Sequence, residues 1–143
     1  MKLTKHFELS EFTNSEIARE KNIDNTPSNN VVSNILNLCI HVLEPARNII
    51  NTQIHITSGY RCRKLNEIVK GNPLSQHTIG EAADLRCYTN FYLNSLVSAL
   101  KETDYDQLII EEKKNKKTKI NWIHVSYSST RANRNEFIDM RTK

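Results

Sequence analysis

The chain has 143 residues, 38% of them hydrophobic and 25% charged, which predicts one soluble domain without an integral membrane segment or a secretory signal peptide. Its formal net charge of +4 favours an anionic partner, but the lysine-rich run over 113–119 contains no aromatic residue, so no nucleic-acid partner is expected. We expect a single domain over 1–143 that is a monomer and is cytoplasmic before any release.

Helical patterns dominate the first third of the chain. Thr13-Asn-Ser-Glu16 has the spacing of a capping box and predicts a short helix through about Lys21. A loop around Pro27 follows. Apolar residues then recur at helical spacing and predict a helix over 30–50, which Pro45 is expected to kink or interrupt.

Shorter elements make up the rest of the chain. A strand over 54–57 turns at Gly59, a helix over 63–70 stops at Gly71, and a loop continues to residue 80. We expect a strand over 82–87, a helix over 90–100, and two strands over 106–111 and 120–127. The lysine-rich turn joins the last two strands as a hairpin. This order predicts an α+β fold with a mostly antiparallel sheet flanked by helices.

Alternation in two of these strands places residues that can bind a metal. Asp84 projects from the polar side of one strand, and His124 projects from the polar side of another. His77 lies on the loop seven residues before Asp84 and can fold back onto the same place. Two imidazoles and one carboxylate form the ligand set of a catalytic zinc, with a fourth position for water. From the residues alone, hydrogen-bonded structural histidines remain the alternative.

Cysteine does not enter this ligand set. The chain has three cysteines, an odd number, and none of them shows CxxC spacing. We therefore expect neither a disulfide framework nor a zinc ribbon.

Three ordered segments resemble one enzyme family. They are SGYRCRKLN (58–66), GNPLSQHTIGEAADL (71–85) and WIHVSY (122–127). They resemble the D-Ala-D-Ala zinc carboxypeptidase and phage endolysin peptidase family, whose pattern is S-x-H-x6-D with a later histidine. The resemblance covers about residues 5–127. It implies the fold shared with lysostaphin-type peptidases and the hedgehog signalling domain, and a Zn²⁺ ion bound by His77, Asp84 and His124.

The resemblance also implies a substrate and further site residues. The expected reaction is hydrolysis of an amide bond in a peptidoglycan stem peptide, either D-Ala-D-Ala or L-Ala-D-Glu, by a phage or prophage lysin or a virion component. Ser75 matches a residue that hydrogen-bonds the substrate backbone. Arg61 matches an arginine that holds a substrate carboxylate or the developing oxyanion. The alternatives are a loop-capping hydroxyl for Ser75 and a structural salt bridge for Arg61.

One position departs from the family pattern. Members often carry a glutamate or aspartate base three residues before the last histidine, where this chain has Asn121, which cannot accept a proton. The nearest substitute is Glu111 on the partner strand, and we expect it to be the general base. The side chain of Glu112 should project from the opposite face of that strand, as a solvated charge near the turn. Asn121 keeps open a second hypothesis, a catalytically silent, zinc-stabilised module that binds cell-wall peptides.

Overall fold

The computed structural model describes residues 1–142, in which short helices precede and interrupt a five-stranded sheet. The helices are α1 (Leu9–Thr13), α2 (Glu16–Glu20), α3 (Asn29–Leu38), α4 (Glu44–Ile50), α5 (Arg63–Ile68) and α6 (Asn90–Lys101). The strands are β1 (Ile56–Ser58), β2 (Ala82–Arg86), β3 (Gln107–Lys114), β4 (Lys119–Ser126) and β5 (Glu136–Asp139). Within 1–142, none of the helices has the length and apolar character that crossing a membrane requires.

The N-terminal helices differ from the prediction by a few residues. Helix α2 begins at Glu16 because the Ser15 hydroxyl, rather than Thr13, accepts from the backbone N–H of Ala18 at 3.1 Å. Helix α1 was not expected. It starts with a capping box of its own, in which the Glu11 carboxylate accepts from the backbone N–H of Glu8 at 2.7 Å.

The helix expected over 30–50 is interrupted before Pro45, as predicted. A π-helical turn, Cys39–Leu43, separates α3 from α4, and Pro45 lies in the first turn of α4. Proline has no N–H to donate to the carbonyl four residues earlier, and its ring clashes with that carbonyl. The wider turn relieves the conflict: the N–H of Glu44 reaches the carbonyl of Cys39, five residues back.

The sheet has the strand order β1-β2-β4-β3-β5 and is mostly antiparallel, which confirms the predicted α+β class. The lysine-rich turn joins β3 and β4 as the predicted hairpin, with Lys114 opposite Lys119 at its end. Strand β5 was not predicted. It runs parallel to β3, pairing Gln107 with Glu136 and Ile110 with Asp139, so β3 is not an edge strand.

The two faces of the sheet have different surroundings. One face is apolar and packs against the helices, and its strand residues include Leu85, Leu108, Ile110, Ile123 and Val125. Regular pairing among β2, β4 and β3 puts the alternate residues on the opposite face. We call this the site face, and it carries Asp84, Arg86, Ile109, Glu111, Lys113, Ile120, Trp122 and His124.

Candidate metal centre

A tight loop carries His77 into the interior. Residues Gln76–Ile79 form a single 3₁₀ turn that ends at Gly80, whose φ is +80°. A Cβ at Gly80 would lie 2.8 Å from the Val31 side chain and from its backbone oxygen, so the close packing of this loop on α3 requires glycine. The packing leaves the His77 side chain only 3% exposed, on the sheet side of the loop.

Gly59 fixes the orientation of the His77 ring. The Nδ1 atom of His77 lies 2.7 Å from the carbonyl oxygen of Gly59, and a carbonyl can only accept, so Nδ1 carries the proton. Nε2 is then free as a ligand atom, and it faces Asp84 Oδ1 at 3.3 Å. A backbone carbonyl that orients an imidazole in this way is the usual partner of a metal-binding histidine.

Asp84 and His124 meet across the sheet. They are directly paired residues of β2 and β4, and His124 Nδ1 lies 3.2 Å from the same Asp84 Oδ1 that His77 faces. The two imidazole rings stand edge to face, with their centroids 5.2 Å apart. One ligand atom from each of the three side chains lies within 4.8 Å of the others.

The chemistry of these donors fits a bound cation. Burial acts to raise the pKa of Asp84, but the contacts of its carboxylate with the His124 and His77 rings outweigh burial and hold that pKa well below its usual range. The carboxylate is therefore ionised, and imidazole nitrogens converge on it. Nitrogen and oxygen donors in a set of three form the open ligand set of a catalytic zinc.

Arg61 lies next to this group. Its backbone N–H donates to the carbonyl oxygen of His77 at 3.0 Å, and its Nε is buried without a hydrogen-bond partner. Burial lowers the pKa of Arg61, and the nearby charge of Asp84 opposes that effect. No carboxylate in residues 1–142 comes within ion-pair distance of its guanidinium. The structural salt bridge considered for Arg61 is therefore not seen in the described chain.

Ser75 has the loop-capping contact that was its alternative role. Its hydroxyl oxygen accepts from the backbone N–H of His77 at 3.2 Å and begins the 3₁₀ turn. The side chain remains partly exposed. Its substrate contact stays a prediction.

Glu111 lies on the site face, as alternation predicted. It pairs with Trp122 across β3 and β4, while His124 pairs with Ile109 one row away. Diagonal neighbours of this kind have Cα atoms about 7–8 Å apart, within reach of a long side chain. Glu111 is half-buried, and in the described part of the chain its carboxylate has neither a hydrogen-bond partner nor an ion-pair partner.

Glu112 and Asn121 lie on the other face. They pair with each other directly, and the ladder is regular from Leu108 to Lys114. Glu112 was expected to be solvated, which is wrong. Its side chain is 4% exposed, accepts from the Thr142 hydroxyl at 2.6 Å, and lies 3.4 Å from the ammonium of Lys119. Asn121 therefore lies on the face opposite to His124, and the silent binding module stays an alternative hypothesis.

Two features were not predicted from the sequence. Asp106, the residue before β3, is fully buried and accepts hydrogen bonds from both Arg131 and Arg134. Arg86 pairs with Trp122 and shares the site face with Asp84. The spacing of two residues between Asp84 and Arg86 could have predicted their shared face. No local pattern predicts the contacts of Asp106 with a segment that begins 25 residues later.

The family model described as Peptidase M15 matches residues 5–126, a range that contains His77, Asp84, His124, Arg61 and Glu111. A comparison with curated proteins finds no match.

Proposed function

The chain belongs to the Peptidase M15 family, a family of zinc metallopeptidases, and on that premise we propose that it hydrolyses an amide bond in the peptide stem of peptidoglycan. The observation that carries the proposal is the convergence of His77, Asp84 and His124 within 4.8 Å, with Glu111 and Arg61 beside them. Nitrogen and carboxylate ligands, a free carboxylate and an unpaired guanidinium are the groups that metal-assisted amide hydrolysis needs.

His77, Asp84 and His124 would hold the zinc ion. When bound, zinc supplies a Lewis acid that polarises the scissile carbonyl and makes a water molecule more acidic. The ligand side chains are already oriented for a metal ion. The Gly59 carbonyl fixes the His77 ring, and the ladder pairing between β2 and β4 holds Asp84 against His124. Little rearrangement is needed before the metal binds.

Glu111 would move the proton. It takes a proton from the attacking water as the water oxygen bonds to the carbonyl carbon. It then returns that proton to the amide nitrogen as the carbon–nitrogen bond breaks, so that the products are a carboxylic acid and an amine. A base must be free to accept, and Glu111 has no partner among the described residues.

Arg61 and Ser75 would position the substrate. The guanidinium of Arg61 is always charged and has no ion-pair partner within residues 1–142, so its terminal nitrogens can bind a substrate carboxylate or the oxygen that becomes negative during attack. The Ser75 hydroxyl accepts from His77 N–H and can still donate its own hydrogen to a peptide carbonyl.

Mass spectrometry of purified peptidoglycan fragments tests this function. Zinc-loaded protein is incubated with muropeptides, and Glu111→Gln serves as the inactive control. Loss of a single terminal D-Ala would assign a carboxypeptidase, and separation of L-Ala from D-Glu would assign an endopeptidase. Either result is consistent with a phage or prophage lysin acting on the wall. Unchanged muropeptides would contradict the proposal.

A further inference from the structure

Two cations extend the site face away from the metal centre. Arg86 pairs with Trp122 on one side, and Glu111 pairs with Trp122 on the other. Lys113 lies two residues beyond Glu111 on the same strand and pairs with Ile120, so it shares that face. Going from the metal centre along β4 toward the hairpin, the surface therefore presents Trp122 and then Ile120, with cations on both sides.

Neither cation is neutralised by the protein. Arg86 and Lys113 are exposed, and across residues 1–142 neither forms an ion pair. The guanidinium carbon of Arg86 lies 5.9 Å from the centre of the Tyr88 ring, a contact that orients the side chain without cancelling its charge. Glu111 is two strands away from Arg86, about 10 Å between Cα atoms, and the half-buried Trp122 lies between them.

The spacing matches an extended peptide. Arg86 is a diagonal neighbour of His124, at about 7–8 Å, and Lys113 lies about 14 Å from His124 along the strands. An extended chain advances about 3.4 Å per residue. Along an extended substrate whose scissile bond lies at the metal centre, Arg86 is therefore about two residues away and Lys113 about four residues away.

We propose that Arg86 and Lys113, beside Trp122, form a subsite for carboxylates of the substrate, so that the enzyme selects stem peptides with free acidic groups. The proposal rests on the function proposed above and adds a specificity to it. Arg86 is the main contact because its planar fork binds a carboxylate with two hydrogen bonds. Lys113 is farther from the metal centre and would make a weaker contact with a carboxylate, because its ammonium is a point charge on an exposed, flexible side chain.

Two synthetic stem peptides test the subsite. They are identical except that the glutamate carboxylate is free in one and converted to a primary amide in the other. Binding is measured by calorimetry on zinc-loaded Glu111→Gln protein, and cleavage is measured on the parent protein. We expect the free carboxylate to bind about tenfold more tightly, as for a hydrogen bond between charged groups. The preference should weaken with added salt.

Substitutions then locate the preference. Arg86→Gln should bring the ratio of the affinities for the two peptides close to one. Arg86→Lys should keep part of the preference for the free carboxylate, and Lys113→Gln should reduce that ratio about twofold. The matched control is Lys114→Gln, because Lys114 is an exposed lysine on the opposite face, and it should leave the ratio unchanged.

The outcomes separate the subsite from the function itself. If the parent cleaves both peptides and binds them with equal affinity, the subsite proposal is wrong and the peptidase function stands. The same holds if Arg86→Gln keeps the preference for the free carboxylate. If the parent neither binds nor cuts either peptide, both proposals fail.

Discussion

Asn121 pairs directly with Glu112 across the β3–β4 ladder, on the face of the sheet opposite to His124. The position three residues before the last histidine is an odd number of strand steps from it, so a regular strand must turn the two side chains apart. The amide at 121 therefore does not replace a base in this chain. Besides the ligand Asp84, the carboxylate of residues 82–126 that shares the face of His124 is Glu111, on the neighbouring strand β3.

Exchange of Glu111 for glutamine should lower the rate by about 10²–10⁴-fold, because the amide cannot carry the proton between water and leaving nitrogen. Zinc content should stay unchanged, since Glu111 is outside the group of three ligands. Turnover of muropeptides and bound zinc are measured together. Glu112→Gln is the matched control, one residue along but on the other face, and it should keep nearly full activity. Equal losses in the two variants would remove Glu111 from the mechanism.

Asn121→Asp should not restore the activity of Glu111→Gln. The new carboxylate would lie beside Glu112, away from the metal centre, and like charges paired across a ladder destabilise it. We expect no gain in turnover and a small loss of stability in thermal unfolding. Recovery of activity in the double variant would show that residue 121 reaches the reacting water and that the strand is not regular in solution.

Arg61→Lys should lower kcat/KM by about tenfold or more and change the melting temperature by only about 1–2 °C. Lysine keeps the charge but loses the planar fork that binds two oxygens. The fold should tolerate the change, because no carboxylate of residues 1–142 pairs with this guanidinium. A large fall in melting temperature with unchanged kinetics would assign Arg61 a structural role instead.

Asp106→Asn should destabilise the fold in a pH-dependent way. The Asp106 carboxylate accepts two hydrogen bonds from Arg131 and three from Arg134. Burial acts to raise its pKa, but these hydrogen bonds outweigh burial and lower that pKa strongly. A depressed pKa in the folded state gives stability that is fully present above the unfolded value of about 4 and is lost as the pH falls through the folded value.

We therefore expect Asp106→Asn to cost about 1–2 kcal/mol in the free energy of unfolding at pH 7, a figure discounted because both arginines are about half exposed. The difference from the parent should shrink below pH 4. Urea unfolding at pH 7 and pH 3 gives both values. A difference that is equal at the two pH values would mean that the ionised Asp106 carboxylate does not stabilise the fold through Arg131 and Arg134.

The strand faces of Asp84 and His124 could be predicted from the sequence because alternation within β2 and β4 is local information. His77 could only be expected to fold back from its loop, and the family resemblance then favoured a metal centre over structural histidines. The interruption before Pro45 was predictable for the same reason, since proline acts on its own helical turn.

What could not be predicted depends on contacts between distant parts of the chain. Strand β5 is only four residues long and follows a polar segment without periodicity, so its parallel pairing with β3 leaves no local pattern. Glu112 was misjudged because its partner, Thr142, lies 30 residues away. The cap of α2 was displaced because Ser15, two residues after Thr13, accepts the hydrogen bond from the backbone N–H of Ala18.

The amount of zinc bound per chain tests the central claim most directly. Protein purified without added metal should contain close to one equivalent by elemental analysis, and His77→Ala and His124→Ala should each lose most of it. His55→Ala should keep it, because His55 lies outside the group formed by His77, Asp84 and His124. Zinc that is retained in both ligand variants, or that is lost equally in the His55 control, would contradict the assignment of the metal centre.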